Sequence, residues 1–265
     1  MPGYYHLSVN IISRSTGRSA VACAAYRAGQ ILRDERYGMT HDYTPRRGIP
    51  ESGIATPQNA PGWTHNREEL WNHVEGAEKR KDAQLAREFI VGFPHQIDAN
   101  QRRELLMSFI EAEFTSKGLV ADWAIHSPNK KGDERNWHAH IMTTMRTVTD
   151  DGFDTKKDRS LNSNEQLCRW RQDWALAQNR MLERLNIRDA NGKLVQVDHR
   201  SYEEMNLDRE PTVHMGVHAT SMERRGMSTE IGDLNRLIAV RNAMQIEPRP
   251  ALDRERSVRE LDIEF

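Results

Sequence analysis

Apolar positions along the chain alternate in some stretches and recur at helical spacing in others, and this divides it into strands and helices. Tyr4 to Ile12 is rich in aromatic and β-branched residues and predicts a strand, broken by Gly17. Ser19 offers an N-cap to an alanine-rich helix over 20–33, in which Gly29 is the weak position. Pro45, Pro50, Pro57 and Pro61, with several glycines, mark 46–63 as an irregular surface excursion. A helix over 67–81 carries Leu70, Trp71, Val74 and Ala77 on one side, and a strand over 85–93 is closed by Pro94. The spacing of Leu105, Leu106, Phe109, Ile110 and Phe114 predicts an amphipathic helix over 97–117, stopped by Gly118. Two strands follow at 119–126 and 137–145, joined by a polar loop. A helix over 164–185 then presents Leu167, Trp170, Trp174, Ala177 and Met181. Residues 188–212 read as irregular, 229–244 as helical, and the end as a charged tail. The expected class is α+β: a central antiparallel sheet flanked by helices, with a C-terminal helical extension.

Composition narrows the setting. With 37% hydrophobic and 29% charged residues over 265 positions, the chain has the balance of a globular protein of one large domain plus an extension. No apolar run spans a bilayer, and the first residues lack the layout of a signal peptide, so cytoplasmic residence without membrane insertion is expected. Cys23 and Cys168 have no CxxC spacing and form no disulfide framework. The net charge of −1 argues against a wholly basic coat protein. The first fifty residues, however, hold seven arginines against Asp34, Glu35 and Asp42, which suits a polyanion on one face.

The chemistry concentrates at His126, His138 and His140. Side chains alternate along a strand, so His138 and His140 share a face, while Trp137, Ala139 and Ile141 turn to a helix-covered core. On the preceding strand Trp123 and Ile125 face the core, and Asp122, Ala124 and His126 take the other side. A His-x-His alone is ordinarily two polar residues on a wet face. A third histidine at hairpin distance on the matching face turns the set into a metal site with open positions, a description that fits a metallohydrolase equally. Tyr26 stands out as the one large residue among Ala20, Ala22, Ala24, Ala25 and Ala28. By pattern alone it is a core residue with a satisfied hydroxyl; beside a metal or a cation such as Arg27 it becomes a nucleophile.

Taken together, these residues resemble the MobA/MobL family of plasmid relaxases, in the HUH-type nuclease group (MobQ-like nickases). The matching stretches are Tyr5-His6-Leu7, the run from Ser13-Arg14-Ser15 through Arg18-Ser19-Ala20 to Tyr26-Arg27, Glu78-Lys79-Arg80, and Leu85-Ala86-Arg87-Glu88. Further matches are Ala121-Asp122, Ile125-His126, Asn136, His138 to Met142, Asp198-His199-Arg200-Ser201-Tyr202, and Glu210-Pro211-Thr212 with His214 and Gly216. The resemblance covers residues 4–226 and implies a relaxase domain over 1–225 with the extension over 226–265. It implies that Tyr26 attacks a phosphodiester at the nic site of an origin of transfer, leaving a 5′-phosphotyrosyl bond and a free 3′-hydroxyl. The step is reversible and later rejoins the strand. The three histidines would hold Mg²⁺ or Mn²⁺, although imidazoles suit Mn²⁺, Ni²⁺ or Zn²⁺ better than Mg²⁺. Glu88 would either take the tyrosine proton or hold a metal histidine, with Asp122 a weaker candidate for that second role. Single-stranded DNA would be gripped by Arg14, Arg18, Arg27, Lys130, Lys131 and Arg200, with Lys156, Lys157 and Arg159 as further candidates. Accessory relaxosome proteins and a coupling protein are the implied partners, and the protein is expected to accompany its DNA into the recipient cell. Where family members often carry proline before the His-x-His, this chain has Trp137.

Two other readings stay open at this stage. In a His₃ metallohydrolase Tyr26 is structural and no covalent adduct forms. In a non-catalytic origin-binding module the metal is structural and DNA is bound without being cut. A rolling-circle initiator shares the chemistry but typically places its tyrosine after the histidines, whereas Tyr26 precedes them.

Overall fold

In the computed structural model, which describes residues 4–128 and 133–244, the chain runs β1 (Leu7–Ser13), α1 (Ala20–Ala28), β2 (Ile31–Asp34), β3 (Met39–Asp42), β4 (Glu51–Ala55), α2 (Arg67–Ala77) and β5 (Gln84–Gly92). It continues through α3 (Ala99–Glu113), β6 (Ala121–His126), β7 (His138–Thr144), β8 (Val148–Thr149), β9 (Gly152–Phe153), α4 (Asn164–Arg184), α5 (Gly216–Arg224) and α6 (Glu230–Met244). Residues 1–199 and 200–265 form two units. The first holds a five-stranded antiparallel sheet of order β1-β5-β7-β6-β4, the α+β architecture that the hydrophobic pattern predicts.

Helices cover both faces of this sheet. Trp123 and Ile125 of β6 and Ala139 and Ile141 of β7 pack with Leu106, Phe109 and Ile110 of α3, the adjoining Phe114, and Trp170 and Trp174 of α4. The other face packs Ile12, Ala86, Val120 and Met142 against Ala20, Val21, Ala24 and Ala25 of α1 and Leu70, Trp71 and Val74 of α2. Asp122, on this second face, is buried. Its carboxylate accepts bonds of 2.8–3.0 Å from the Arg67 guanidinium and one of 2.8 Å from Trp71 Nε1. It is therefore committed to α2, which corrects its candidacy beside the histidines.

Four elements depart from the expected pattern as follows. The alanine helix ends at Ala28 rather than 33, because Gly29 adopts the left-handed conformation (φ 62°) and reverses the chain into the β2–β3 hairpin. A Cβ at Gly29 would lie 2.9 Å from the flexible end of Ile49, so the left-handed backbone is what favours glycine there. Within the proline-rich stretch, β4 pairs with β6; Gly53 lies opposite Trp123, and a Cβ there would come within 2.8 Å of the indole. Its residues are all half-buried, so no alternation betrays the strand. The helix over Arg67–Ala77 and the helix over Ala99–Glu113 are each shorter than their apolar spacing suggests, the latter followed by a 3₁₀ turn at Thr115–Lys117 and Gly118 (φ 81°).

In the second unit Glu223 of α5 accepts from the Thr229 N–H and hydroxyl and pairs with Arg236 of α6 at 2.7 Å. Among the described residues, no helix is long and apolar enough to cross a membrane. The expected charged tail lies outside the described residues.

Asp122 is the test of the α2-covered face. Asp122→Ala leaves the Arg67 guanidinium buried without its partner, and should lower unfolding free energy by about 3–5 kcal/mol. A loss under ~1 kcal/mol in denaturant titration would contradict this packing.

Candidate active site

The hairpin register delivers the three histidines to one place. His126 pairs with His138, and Ala124 with His140, so His126 sits beside the His-x-His on the same face. One ring nitrogen from each lies within 4.8 Å of the others. Ring centroids are 4.6–5.4 Å apart. Each imidazole also meets a fixed acceptor with one ring nitrogen. His126 Nε2 bonds the Arg27 carbonyl at 2.8 Å, His138 Nδ1 the Asn136 carbonyl at 3.1 Å, and His140 Nδ1 the Glu88 carboxylate at 2.9 Å. Carbonyl and carboxylate oxygens only accept, so these nitrogens donate. Nδ1 of His126 and Nε2 of His138 and His140 are left as lone-pair donors. Outward hydrogen bonds that fix the tautomer are what metal-ligating histidines require, and three neutral imidazoles suit a first-row transition metal. The residues present fit a divalent ion.

Electrostatics agree. Burial holds His126 well below its ordinary value, at about 4, against the opposing bond to Arg27 and with help from His140, His138 and Arg46. Burial likewise lowers His138. Burial alone would raise Glu88, but hydrogen bonds from His140 and Arg27 outweigh it and bring its carboxyl down to about 2. Glu88 is thus an anion held from two sides, a geometry that orients His140 and leaves a weak base.

Helix α1 is fastened to this centre by Arg27. Its carbonyl takes the His126 bond, its guanidinium pairs with Glu88, and its Nη1 returns to the Cys23 carbonyl at 2.8 Å. Small residues make this approach possible: Ala20, Ala24 and Ala25 are buried against the sheet and α2. Tyr26, the neighbouring residue, is 43% exposed and points its ring edge-on to Tyr43, with centroids 5.2 Å apart. It is a surface tyrosine, so the core reading of the sequence does not hold.

Arg46 is the site residue that sequence reading missed. Its guanidinium carbon lies 3.7 Å from the Tyr26 ring centroid, and its charge helps to lower both His126 and His138. Its Nε is buried with no hydrogen-bond partner. The loop that carries it is pinned by Tyr43 N–H to Gln30 O (3.1 Å) at one end and Ser127 N–H to Gly48 O (2.8 Å) at the other. Nothing in the sequence distinguishes Arg46 from Arg47 until that loop is folded back over α1.

The remaining expected DNA contacts divide. Arg14 is buried and its guanidinium is consumed by Glu75 (2.6 Å) and the carbonyls of Glu75, Glu78 and Arg80, so it staples β1's end to α2 and cannot face a strand of DNA. Arg27 is spent on Glu88, and Lys157 on Glu78 at 2.8 Å. Arg18 is exposed and near enough to Cys23 to oppose the burial that raises its thiol. Lys130 and Lys131 lie outside the described residues. Arg200 is exposed and opens the second unit. Trp137 turns to the core as expected, with Arg102 over its ring at 3.9 Å.

Fold and site thus define a class: an antiparallel-sheet protein with a three-histidine centre and an exposed tyrosine on a helix tied to it. The MobA/MobL family profile matches residues 18–225. The chain is 36% identical over 250 residues to the mobilization protein MobL of Acidithiobacillus ferridurans, covering 83% of this chain and 64% of that protein. It is 33% identical over 288 residues to the conjugal transfer protein TraA of Agrobacterium fabrum, covering 97% of this chain and 26% of that protein. The chain therefore spans about a quarter of the length of that relative. A solved structure described as "Molecular Basis of Vancomycin Resistance Transfer in Staphylococcus aureus" superposes with a TM-score of 0.65 at 32% identity, over 75% of this chain and 99% of that one. The chain belongs to the MobA/MobL family.

Acidification tests the electrostatics in metal-free protein. A His with its folded value near 4 against an ordinary 6.5 contributes stability that is complete above 6.5 and lost as pH falls to 4. Glu88, depressed from 4.5 to about 2, contributes fully above 4.5 and loses its share below it. Melting temperature in chelator should therefore fall on going from about pH 7 to about pH 4, and His126→Asn should fall less steeply. Parallel profiles for the two proteins would contradict the buried, neutral His126.

Proposed function

We propose that this chain is the DNA-nicking unit of a conjugative mobilisation system, a relaxase that cuts one strand at an origin of transfer with Tyr26. The observation that carries this reading is the double attachment of Arg27, which holds the tyrosine helix against the histidine centre through His126 and through Glu88. Family membership, and relatives named for mobilisation and conjugal transfer, support it.

In the proposed step the Tyr26 phenolic oxygen forms a bond to the scissile phosphorus and the P–O3′ bond breaks. The phenolic proton leaves to solvent, to which Tyr26 is open, and the departing 3′ oxygen gains one. The products are a 5′-phosphotyrosine and a free 3′-hydroxyl, and the reverse attack rejoins the strand. A divalent ion held by His126, His138 and His140, Mn²⁺ or Mg²⁺, would polarise the phosphate oxygens and offset their developing charge. Glu88 keeps the His140 ring in register, and Arg27 keeps Glu88 in place. Arg46 sets a cation against the Tyr26 ring, where it draws in the phosphate. Arg18, exposed just ahead of the start of this helix, is assigned to the DNA backbone. Single-stranded DNA is the proposed partner.

The deciding experiment is covalent trapping on the protein's own supercoiled plasmid with Mn²⁺ or Mg²⁺. Wild type should form a protein–DNA adduct that Tyr26→Phe and chelator both abolish. Nicked product without an adduct, or an adduct that survives Tyr26→Phe, would favour the metallohydrolase reading. Two further variants separate the roles around the tyrosine. Glu88→Gln should weaken metal affinity roughly 10–100-fold yet recover adduct formation at saturating metal. Arg46→Ala should slow adduct formation on the order of 10²-fold with metal affinity unchanged, as measured by calorimetry. A loss in Glu88→Gln that no metal concentration recovers would instead make Glu88 the proton acceptor.

A further inference from the structure

The Leu85-Ala86-Arg87-Glu88 segment places a second charged residue where the proposed reaction does not use it. Arg87 alternates with Glu88 along β5 and so turns to the opposite face of the sheet, toward α4. It is only 1% exposed. Its Nη2 donates to Asn162 Oδ1 at 2.8 Å, while Nε and Nη1 have no partner. Among the described residues Arg87 has no ion pair. Asp158, the acid whose charge reaches it, forms no ion pair with it and accepts through Oδ1 from the Ser160 N–H (2.9 Å) and hydroxyl (2.6 Å). Burial pushes the guanidinium down to about 10, still charged at neutral pH.

Arg87 lines a cavity of about 310 Å³ whose walls include Val9, Ile11, Asn162, Asn164 and Trp170. Trp170, in the cavity wall, has its Nε1 buried without an acceptor. Asn164 is the first residue of α4, a helix of 21 residues whose positive end therefore borders the cavity. Asn162 and Asn164 are exposed, so the cavity opens past them to solvent. An unpaired buried guanidinium, a surplus indole N–H and a helix N-terminus all call for the same thing, an anion with several acceptor oxygens. Among the described residues no carboxylate lines the cavity, which disfavours a cation.

We propose that this cavity is an anion site that takes one phosphate group on Arg87 and the N-terminus of α4, on the other face of the sheet from the histidine centre. The phosphate belongs either to a DNA backbone or to a free phosphate. Only the first source rests on the relaxase reading.

Thermal unfolding of the metal-free protein in inorganic phosphate, against chloride at equal ionic strength, tests the site. Wild type should show a saturable rise in melting temperature, and Arg87→Met should show none. Should Arg87→Met fail to fold, Asn162→Ala at the exposed rim should raise the half-saturating phosphate about threefold or more. No phosphate-specific rise in wild type, or the same rise in Arg87→Met, or an unchanged half-saturation in Asn162→Ala, overturns the proposal. Anisotropy of a fluorescent oligo(dT) of about 20 nucleotides in chelator then identifies the source. If a backbone phosphate occupies the site, phosphate competes and the log–log salt slope of Arg87→Met shrinks by about 0.7. If the slope holds while the thermal shift persists, the site takes free phosphate. Neither readout needs strand cleavage, so failure of the relaxase reading leaves this test intact.

Discussion

One residue couples the two halves of the site. Arg27 offers its carbonyl to His126 on β6 and its guanidinium to Glu88 on β5, and Glu88 in turn receives His140 from β7. These contacts span three adjacent strands and fasten α1 across them, so neither the helix nor the imidazoles can shift independently. An ion pair of this kind is mostly desolvated, with 13% and 5% of the two side chains exposed, and its value lies in fixing geometry more than in net stability. The same bonds dictate which nitrogen of His126 and of His140 is left to bind. Position and chemistry of the centre thus follow from a single anchor.

The remaining structure serves that anchor. Alanines at 20, 24 and 25 bring the α1 backbone close to the sheet, and Gly29 turns the chain back so that the loop bearing Arg46 sets its guanidinium over the Tyr26 ring. Aromatic packing of Phe89, Phe109, Phe114, Trp170 and Trp174 on the far face holds the three strands rigid from behind. A centre with its three histidines on packed strands and a neighbouring tyrosine on a capped helix is preorganised, its imidazoles already convergent.

What was legible in the sequence is what depends on short-range periodicity. Alternation along 121–126 and 138–144 is enough to put His126, His138 and His140 on one face, and antiparallel pairing of consecutive strands then brings them together. Apolar spacing located α1 to α4 and α6 within about five residues but did not reveal α5, and a glycine or a capping serine marked several ends. Other features depended on contacts between distant segments and were not legible. Strand β4 is half-buried throughout, so its membership of the sheet comes from pairing with β6. Arg14 looked like a DNA contact because nothing local reveals Glu75, 61 positions away, as its buried partner. Arg46 gains its place only after the chain doubles back at Gly29, and Asp122 loses its place near the histidines to Arg67 and Trp71.

The central claim is that Tyr26 and the three histidines form one site. Its most direct test is ¹⁹F NMR of protein labelled with 3-fluorotyrosine, with the Tyr26 signal assigned by Tyr26→Phe and Mn²⁺ added stepwise. The account predicts that the Tyr26 resonance broadens at stoichiometric Mn²⁺, that the exposed Tyr37 resonance broadens less, and that His138→Ala removes the difference. A Tyr26 signal that stays sharp while Mn²⁺ is bound would place the tyrosine away from the metal and contradict the account.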